Sequence, residues 1–444
     1  MSEKFDLVIR DGTVVNHDGV GKADIGVRNG KIVKIGNIGG DDAGEVISAT
    51  GLHILPGVID SQVHFREPGG EHKETLGTGS QAAVLGGVTA VFEMPNTNPL
   101  TTTAETLADK VRRGRETMYC DFAFYVGGTR ENIDDIPDLE RLPGSAGIKV
   151  FIGSSTGNLL VDDEESLSRV IANLTRRAAF HSEDEARLNS RKSVRRVGDA
   201  SSHTEWRDPE AALISTRILL KLAREHGRRV HVLHISTGEE MQLLADYKDV
   251  ASVEATPQHL TLTTPEAYEQ LGTLAQMNPP LRDAAHQEML WWGMEQGVVD
   301  VLGSDHAPHT LEEKAKPYPE SPSGMPGVQT LVPVMLDHVN AGKLSLERFV
   351  DLTSHGPQRI FGIAGKGRIA AGYDADFTVV DLKATRTIEN AQVASKSGWT
   401  PFAGKSVTGW PKGTIIRGRR VMWEDQLVGK PGGEPVRFWE ALKV

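Results

Sequence analysis

Residues 58–69 read VIDSQVHFREPG, a short apolar run that opens into polar residues. Side chains two apart on a strand point to the same face, so Asp60, Gln62, His64 and Arg66 share one face of the strand that this run predicts. A carboxylate, an amide, an imidazole and a guanidinium are costly to bury without partners. The stretch therefore predicts a functional strand end rather than plain core.

The overall composition is typical of a large soluble protein. The chain has 444 residues, 39% of them hydrophobic and 25% charged, with a net charge of −11. This length suits a large barrel with a smaller satellite domain. The acidity argues against a nucleic-acid surface, which needs a basic patch. The short basic run at residues 187–196 is interpreted as a solvated surface loop.

A single cysteine, Cys120, cannot form an intramolecular disulfide, and this fits a reducing cytoplasm. Its apolar neighbours predict a core position. The N-terminus has no apolar signal segment, and no stretch approaches 18 continuous apolar residues. We expect a cytoplasmic globular protein that makes no membrane contact.

Strand-like runs and helical patterns alternate through the middle of the chain. One helical pattern, residues 208–227, has Asp208 as a plausible N-cap, Pro209 at the first helical position and Gly227 just past the end. Eight parallel strands with intervening helices predict a (β/α)8 TIM barrel, of the α/β class. The rival, an open doubly wound sheet, lacks a Gly-rich phosphate loop after its first strand. The eight runs are GVIDSQVHF, GVTAVFEMPN, CDFAFYVGG, GIKVFIGSS, AAFHSED, RVHVLHIST, VASVEATPQHL and VDVLGSDHAPH.

Both ends of the chain carry short alternating segments separated by turn signals. Near the N-terminus, Asn29-Gly30 lies between two strand-like runs and is a strong hairpin signal. The same pattern of short alternating segments and turn residues occurs near the C-terminus, in GRIAAGYDADFTVVDL and GTIIRGRRVMWEDQLV. We therefore expect a small β-sandwich domain built from residues 1–55 and 365–444, flanking a barrel at residues 56–364.

In nearly every strand-like run the polar residues gather at the C-terminal end, which is the catalytic face of a barrel. Three histidines and an aspartate among them predict a site for Zn²⁺ or a similar divalent ion. The candidates are His64, Arg66, Asn96, Lys149, His181, His234, Asp305 and His309.

Lys149 is the unusual member of this set, because an ammonium cannot ligate a metal. Its neighbours Ile148, Val150 and Phe151 make a dry strand in which the pKa of the amine would fall. A neutral amine can add CO₂ to give a carbamate, whose two oxygens can bridge two metals. A salt-bridged lysine and a Schiff-base lysine are the alternatives.

Several motifs in order along the chain carry a family resemblance. They are VHFREPG, EMPNTNP, GIKVFIGSSTG, FHSED, VLHIST, NPPLR, GSDHAPH, GMPG and GRIAAGYDADFTVVD. With them the sequence resembles the cyclic amidohydrolases of the metal-dependent amidohydrolase superfamily, and among these the dihydroorotases of the long, bacterial type. The resemblance implies an amidohydrolase barrel that interconverts L-dihydroorotate and N-carbamoyl-L-aspartate in pyrimidine (UMP) synthesis.

The resemblance also implies roles for the metal-site residues. His64 and Asp305 would bind the more buried metal, and His181 and His234 the other. Lys149 would be the carboxylated bridge between the two metal positions, which would hold one or two Zn²⁺ ions per chain. A bridging hydroxide would be the nucleophile. Asp305 would orient it, take its proton and pass that proton to the leaving amide nitrogen.

Four further positions would choose the substrate. Arg66 is suited to a bidentate contact with a carboxylate. Asn96 and His309 are similar to the residues that complete this cradle in dihydroorotases, and Asn278 would contact the pyrimidine ring. Hydantoinases and allantoinases share the metal ligands, but Arg66 is the dihydroorotase feature.

Two alternatives to a dihydroorotase stay open at this point. One is an allantoinase- or hydantoinase-like cyclic amidohydrolase. The other is a weakly active or inactive scaffold that binds aspartate transcarbamoylase. A homodimer is a further expectation from the family.

Gln62 departs from the family pattern, because it stands where an Asp-X-His-X-His strand has its first histidine. A glutamine offers only an amide oxygen, a weaker Zn²⁺ ligand than an imidazole nitrogen. The chain would then bind two metals, bind one, or be catalytically weakened; we favour a working enzyme. Asp60 is expected to be structural or to support the ligands.

Among the other histidines, His231 is expected to have a structural role. His231 and His306 should point away from the pocket, and His259 is not a ligand candidate. The polar loop at residues 310–325 follows a catalytic strand directly, so it is either a lid or rim over the pocket or an ordinary surface excursion.

Overall fold

This computed structural model describes residues 4–39, 43–153 and 159–441. Its strands belong to two sheets. In chain order they are β1 (Phe5–Asn16), β2 (Gly19–Arg28), β3 (Lys31–Gly36), β4 (Ala43–Ser48), β5 (His53–Pro56), β6 (Val58–Val63), β7 (Val88–Glu93), β8 (Asp121–Gly127), β9 (Ser145–Phe151), β10 (Ala178–His181), β11 (Val230–Val232), β12 (Ala251–Ala255), β13 (Val301–Leu302), β14 (Phe377–Thr387), β15 (Ser406–Ile416), β16 (Arg419–Trp423) and β17 (Gln426–Leu427).

Helices lie mainly between the middle strands. They are α1 (Leu76–Leu85), α2 (Ala104–Thr117), α3 (Ile136–Leu139), α4 (Glu164–Asn173), α5 (Glu185–Ser190), α6 (Ser202–Trp206), α7 (Pro209–Glu225), α8 (Gly238–Ala245), α9 (Pro257–Thr261), α10 (Glu266–Leu271), α11 (Ala284–Glu295), α12 (Leu311–Lys314), α13 (Leu331–Asn340), α14 (Leu346–Val350) and α15 (Gly356–Phe361). A π-helical turn at Asp351–His355 joins the last two. None of the described helices is long and apolar enough to cross a membrane.

The middle strands β6 to β13 form one parallel sheet in which each strand pairs with the next along the chain. The sheet closes where the backbone N–H of His64 donates to the carbonyl of His306 at 2.7 Å, beside a parallel bridge from Val63 to His306. Apolar strand residues pack against the surrounding helices. All eight predicted runs and the TIM-like barrel are confirmed.

The expected signals at helix and hairpin ends are also found. The side chain of Asp208 accepts from the backbone N–H of Ala211, Pro209 is the first residue of α7, and Gly227 follows its end with φ +61°. Asn29 and Gly30 both have positive φ, as a type I′ turn between β2 and β3 requires.

Strands from both chain ends form the second sheet, in the order β17-β16-β15-β14-β5-β1-β2-β3, with β4 paired to β1. An apolar cluster that includes Ile25 and Phe377 is its core. The Lys366 ammonium binds Asp121 of the barrel at 2.6 Å and Asp376 at 2.5 Å, so a buried charge cluster ties this sheet to the barrel. The exact domain limits at residues 55 and 364 stay a proposal.

Candidate metal and substrate site

One cavity of about 310 Å³ lies at the C-terminal ends of the barrel strands. All ten residues that the sequence singled out line it. They are Gln62, His64, Arg66, Asn96, Lys149, His181, His234, Asn278, Asp305 and His309. Gln62, Lys149 and His181 lie near the ends of β6, β9 and β10, and the others lie in the segments beyond the strand ends, where the backbone has left the sheet. Arg66, His234 and Asp305 have positive φ, a conformation that is uncommon for residues with a side chain and occurs at turns and at functional sites.

His64 and Asp305 meet across the closing seam of the barrel. Their atoms Nε2 and Oδ1 are 3.2 Å apart, and the other nitrogen of His64, Nδ1, lies 2.8 Å from Oδ1 of Asn96. Asp60 supports this seam, because its Oδ1 accepts from the backbone N–H groups of Gln62 and Ser304. Burial raises the pKa of Asp60 to about 7.

His181 and His234 form a second pair, with Nδ1 of His181 at 3.1 Å from Nε2 of His234. The opposite nitrogen of His181, Nε2, lies 2.8 Å from the Glu183 carboxylate, which also accepts from Arg207. Burial opposes the ionised form of Glu183, but Arg207 and then His181 outweigh it, and the pKa of Glu183 falls well below its ordinary value. The carboxylate therefore fixes the proton of His181 on Nε2 and leaves Nδ1 as a lone pair.

The Lys149 amine is buried and makes no hydrogen bond. Burial lowers its pKa to about 7, although Asp305 and Glu254 act to raise it. Burial lowers the pKa of both His181 and His234, and a charge on Lys149 acts in the same direction. Lys149 is thus close to members of both pairs, and a neutral amine is accessible near neutral pH.

The His64–Asp305 pair, the His181–His234 pair and Lys149 fit a metal only when they are taken together. Within residues 4–39, 43–153 and 159–441, no group of three or more His, Cys, Asp or Glu side chains could hold a metal ion. There are instead two pairs of facing side-chain atoms and the Lys149 amine, which has no hydrogen-bond partner and lies 4.4 Å from the centre of the Phe151 ring. A carbamate on Lys149 would supply the oxygens that each pair lacks. The contacts of His64 with Asn96 and of His181 with Glu183 leave the opposite ring nitrogens facing Asp305 and His234.

Gln62 is buried and donates from Nε2 to Oδ1 of Asp305 at 3.0 Å. Its own carbonyl oxygen, Oε1, is buried without a hydrogen-bond partner. The side chain is therefore an amide donor to Asp305 in this arrangement, with an oxygen left over. Its place as a metal ligand stays a proposal.

Arg66, His309 and Lys73 form a basic wall beside the first pair. The Arg66 guanidinium donates from Nε to the carbonyl of Pro308 and lies 3.3 Å from the His309 imidazole. Nε2 of His309 lies 3.0 Å from the carbonyl of Ser323, and Nδ1 lies 3.1 Å from the Lys73 ammonium. Burial lowers the pKa of Arg66 to about 10 and, with the two cations, lowers that of His309. The Arg66 guanidinium and Lys73 therefore flank a neutral imidazole, and Lys73 is also paired with the Glu313 carboxylate at 3.1 Å.

The loop at residues 310–325 forms a rim of the cavity, from Tyr318 to Gly324. It contains α12, and the buried Lys314 ammonium donates to the carbonyls of Gln276, Pro322 and Gly324. The rim position is confirmed, and whether the loop moves as a lid stays a prediction.

The basic run at residues 187–196 differs from the expected solvated loop. Part of it is helical in α5, Arg187 binds Asp208, and Arg195 stacks over Trp206 at 4.8 Å and lines the cavity. Composition alone does not show that a cation here has an aromatic partner.

Three contributors to the site were not singled out in the sequence: Lys73, Glu183 and His203. Glu183 had a usable signal, because it lies two residues after His181 in FHSED. Lys73 and His203 reach their partners only through the tertiary fold.

The structural histidines behave as expected. His231 lies 2.8 Å from the Ser252 hydroxyl, and His306 lies between Glu74 and the backbone N–H of Gly327. His259 lies between Thr256 and the carbonyl of Pro279. Cys120 is buried. Residues 154–157 of the motif GIKVFIGSSTG lie outside the described residues.

Comparison with known proteins gives the same picture at the level of the whole chain. The model of the "Amidohydrolase family" matches residues 53–421, and that of the "Urease alpha-subunit, N-terminal domain" matches residues 1–54. A dihydroorotase of Methanothermobacter thermautotrophicus is 37% identical over 411 residues, which are 91% of this chain and 92% of that protein. A dihydroorotase of Bacillus licheniformis is 35% identical, over 95% of this chain and 99% of its own.

Solved structures of related enzymes share the fold. The L-hydantoinase (dihydropyrimidinase) from Arthrobacter aurescens superposes with a TM-score of 0.93 at 29% identity, and the alignment covers 97% of this chain and 99% of that one. The dihydropyrimidinase from Brevibacillus agri gives a TM-score of 0.89 at 27% identity, covering 96% and 97%.

Proposed function

The chain belongs to the amidohydrolase family and, within it, to the dihydroorotases, and from this premise we propose that it interconverts L-dihydroorotate and N-carbamoyl-L-aspartate. The reaction is hydrolysis of a cyclic amide bond and its reversal. We place it in pyrimidine synthesis in the cytoplasm. A homodimer and contact with aspartate transcarbamoylase stay predictions.

The observation that carries the proposal is the basic wall next to the paired ligands. Arg66 and His309 are 3.3 Å apart, and both line the cavity that holds His64 and Asp305. Dihydroorotate bears a carboxylate beside its ring, whereas the parent hydantoin ring has none. A buried guanidinium near a neutral imidazole is suited to binding a carboxylate, whereas an uncharged ring would offer no anion to pair with it.

We propose that His64 and Asp305, His181 and His234, and a carbamate on Lys149 hold one or two Zn²⁺ ions. When bound, the metal polarises the ring carbonyl and lowers the pKa of a water molecule towards neutrality. The buried amine of Lys149 supports the carbamate, because a charged ammonium there would have the Phe151 ring beside it but no counter-ion in hydrogen-bond contact.

We propose that Asp305 moves the proton. Its Oδ1 accepts from the Gln62 amide and faces His64, so the carboxylate is held at the seam of the barrel. It can take a proton from the attacking water and return it to the leaving ring nitrogen. Arg66 and His309 hold the substrate carboxylate during this exchange, and Asn278 orients the ring.

A substrate panel on the purified full-length chain tests the proposal. Metal content is measured on the same sample, and turnover is followed with dihydroorotate, carbamoyl aspartate, hydantoin and allantoin. We expect turnover of the first two in preference to the others. Because hydrogen bonds to charged groups contribute about 1.5–3 kcal/mol each, Arg66→Ala should lower kcat/KM for dihydroorotate about 100-fold.

Arg224→Ala is the matched control, since this exposed arginine pairs with Asp249 on the protein surface. It should leave the kinetics unchanged. Hydantoin or allantoin turnover above that of dihydroorotate would overturn the substrate assignment. No bound metal together with no turnover of any of the four would overturn the enzyme assignment.

A further inference from the structure

His203 lies where three segments of the cavity wall meet. It belongs to α6, and its Nε2 is 2.8 Å from Oδ1 of Asn278, 3.1 Å from the carbonyl of Met277 and 3.4 Å from the Ser323 hydroxyl. Its ring makes edge contacts with Trp206 and Tyr318. The side chain is almost fully buried, so these contacts are its environment.

The proton of this imidazole is assigned by its neighbours. The two closest atoms to Nε2 are carbonyl oxygens, which only accept hydrogen bonds, so Nε2 carries the N–H. The other nitrogen, Nδ1, is buried without a hydrogen-bond partner. Burial and the nearby Arg207 lower the pKa of His203 to about 3, and the ring is neutral. Its polar contribution is therefore donation through Nε2.

This donation fixes the direction of the Asn278 amide. The oxygen of that amide is engaged by His203, and no hydrogen bond from its Nδ2 to any described residue is found. Asn278 itself lines the cavity. An amide whose oxygen is held by a donor presents its NH₂ group on the opposite side, whereas a free amide can turn over and present either atom.

We propose that His203 is a positioning residue that holds Asn278 as a hydrogen-bond donor to a carbonyl oxygen of the substrate ring. The site then selects cyclic ureides with an acceptor at this position and disfavours rings with a donor there. The inference rests on the proposed function. It adds the orientation of the Asn278 amide and a role for His203, which acts through Asn278 and not by contact with the substrate.

His203→Phe tests the idea, because it keeps an aromatic ring against Trp206 and Tyr318 and removes the N–H. Since one hydrogen bond contributes about 0.5–1.5 kcal/mol, we expect KM for dihydroorotate to rise about 3- to 10-fold, with kcat within about twofold of the parent. His203→Gln retains an amide N–H and should recover most of the loss. His338→Phe is the matched control, as another buried histidine that hydrogen-bonds a hydroxyl, that of Thr261, away from the cavity.

A double-mutant cycle separates orientation from general damage. In an Asn278→Ala background the His203→Phe change should have no further effect on KM. An unchanged KM in His203→Phe, or equal losses with and without Asn278, would overturn the inference while leaving the proposed function intact. If His203→Phe does not fold, the same cycle is run with His203→Gln and His203→Ala, and equal KM values for these two overturn it. A parent chain that does not turn over dihydroorotate would overturn both proposals.

Discussion

Replacing Glu183 by glutamine is the most direct test of the paired-ligand geometry. The carboxylate is fully buried and accepts from Arg207 and from Nε2 of His181, at 2.8 Å for the latter. Because the pKa of Glu183 lies well below its ordinary value, the group is ionised at any working pH and Glu183→Gln removes a full charge.

Two effects of different size follow from this change. Loss of a carboxylate partner behind a metal-binding histidine typically costs 10- to 100-fold in metal affinity, or about 1.4–2.7 kcal/mol. The buried Arg207 also loses its ion pair with Glu183, and breaking a buried ion pair costs about 3–5 kcal/mol of folding stability. The metal effect is therefore measured on folded protein, well below the unfolding temperature.

The assay is Zn²⁺ titration of metal-free protein in competition with a chelator of known affinity. Glu240→Gln is the matched control, because this second buried carboxylate bonds to Thr216 and Thr237 and touches none of the proposed ligands. We expect a 10- to 100-fold rise in Kd for Glu183→Gln and none for Glu240→Gln. Equal Kd values in parent and Glu183→Gln, or equal losses in both variants, would refute the assignment of His181 as a ligand.

Three further predictions concern the lysines and Gln62. Lys149→Met should abolish the carbamate signal that ¹³C-labelled bicarbonate gives in the NMR spectrum of the parent; a signal that persists in the variant would assign the carbamate elsewhere. Lys366→Met leaves Asp121 and Asp376 buried without their shared cation and should lower the free energy of unfolding by about 3–5 kcal/mol in urea titrations, whereas the exposed Lys221→Met should change it by less than about 1 kcal/mol. Gln62→His restores an imidazole and should bind metal more tightly than the parent in the chelator assay; weaker binding would show that the amide itself is the better ligand.

The barrel was predictable because its signals are local. Eight apolar runs end in polar residues, and helix starts such as Asp208-Pro209 carry their own capping chemistry. The candidate metal-site residues were found for the same reason, since each lies near the C-terminal end of its own strand or just beyond it. Lys73 and His203 lie in segments without such a pattern, and they matter only because folding brings them to His309 and Asn278. The hydrophobic periodicity of a sequence predicts which face of a helix or strand is buried. It does not predict which residue a side chain contacts in the folded protein.

Gln62 links the first and last strands of the barrel where the sheet closes. Asp305 comes from the last strand and Gln62 from the first, and the amide joins them by donating to Oδ1. A ring nitrogen of an imidazole at this position could not donate to the carboxylate and ligate a cation at the same time, whereas the amide donates from Nε2 and keeps Oε1 as a separate acceptor. Asp60 and the His64 backbone add hydrogen bonds across the same seam. The substitution therefore lets this chain hold Asp305 in place before any metal binds, at the expense of one strong ligand. If the amide does hold Asp305, metal-free Gln62→His protein should show a less stable seam than the parent, with faster amide hydrogen exchange at His64, and equal exchange rates would contradict this role.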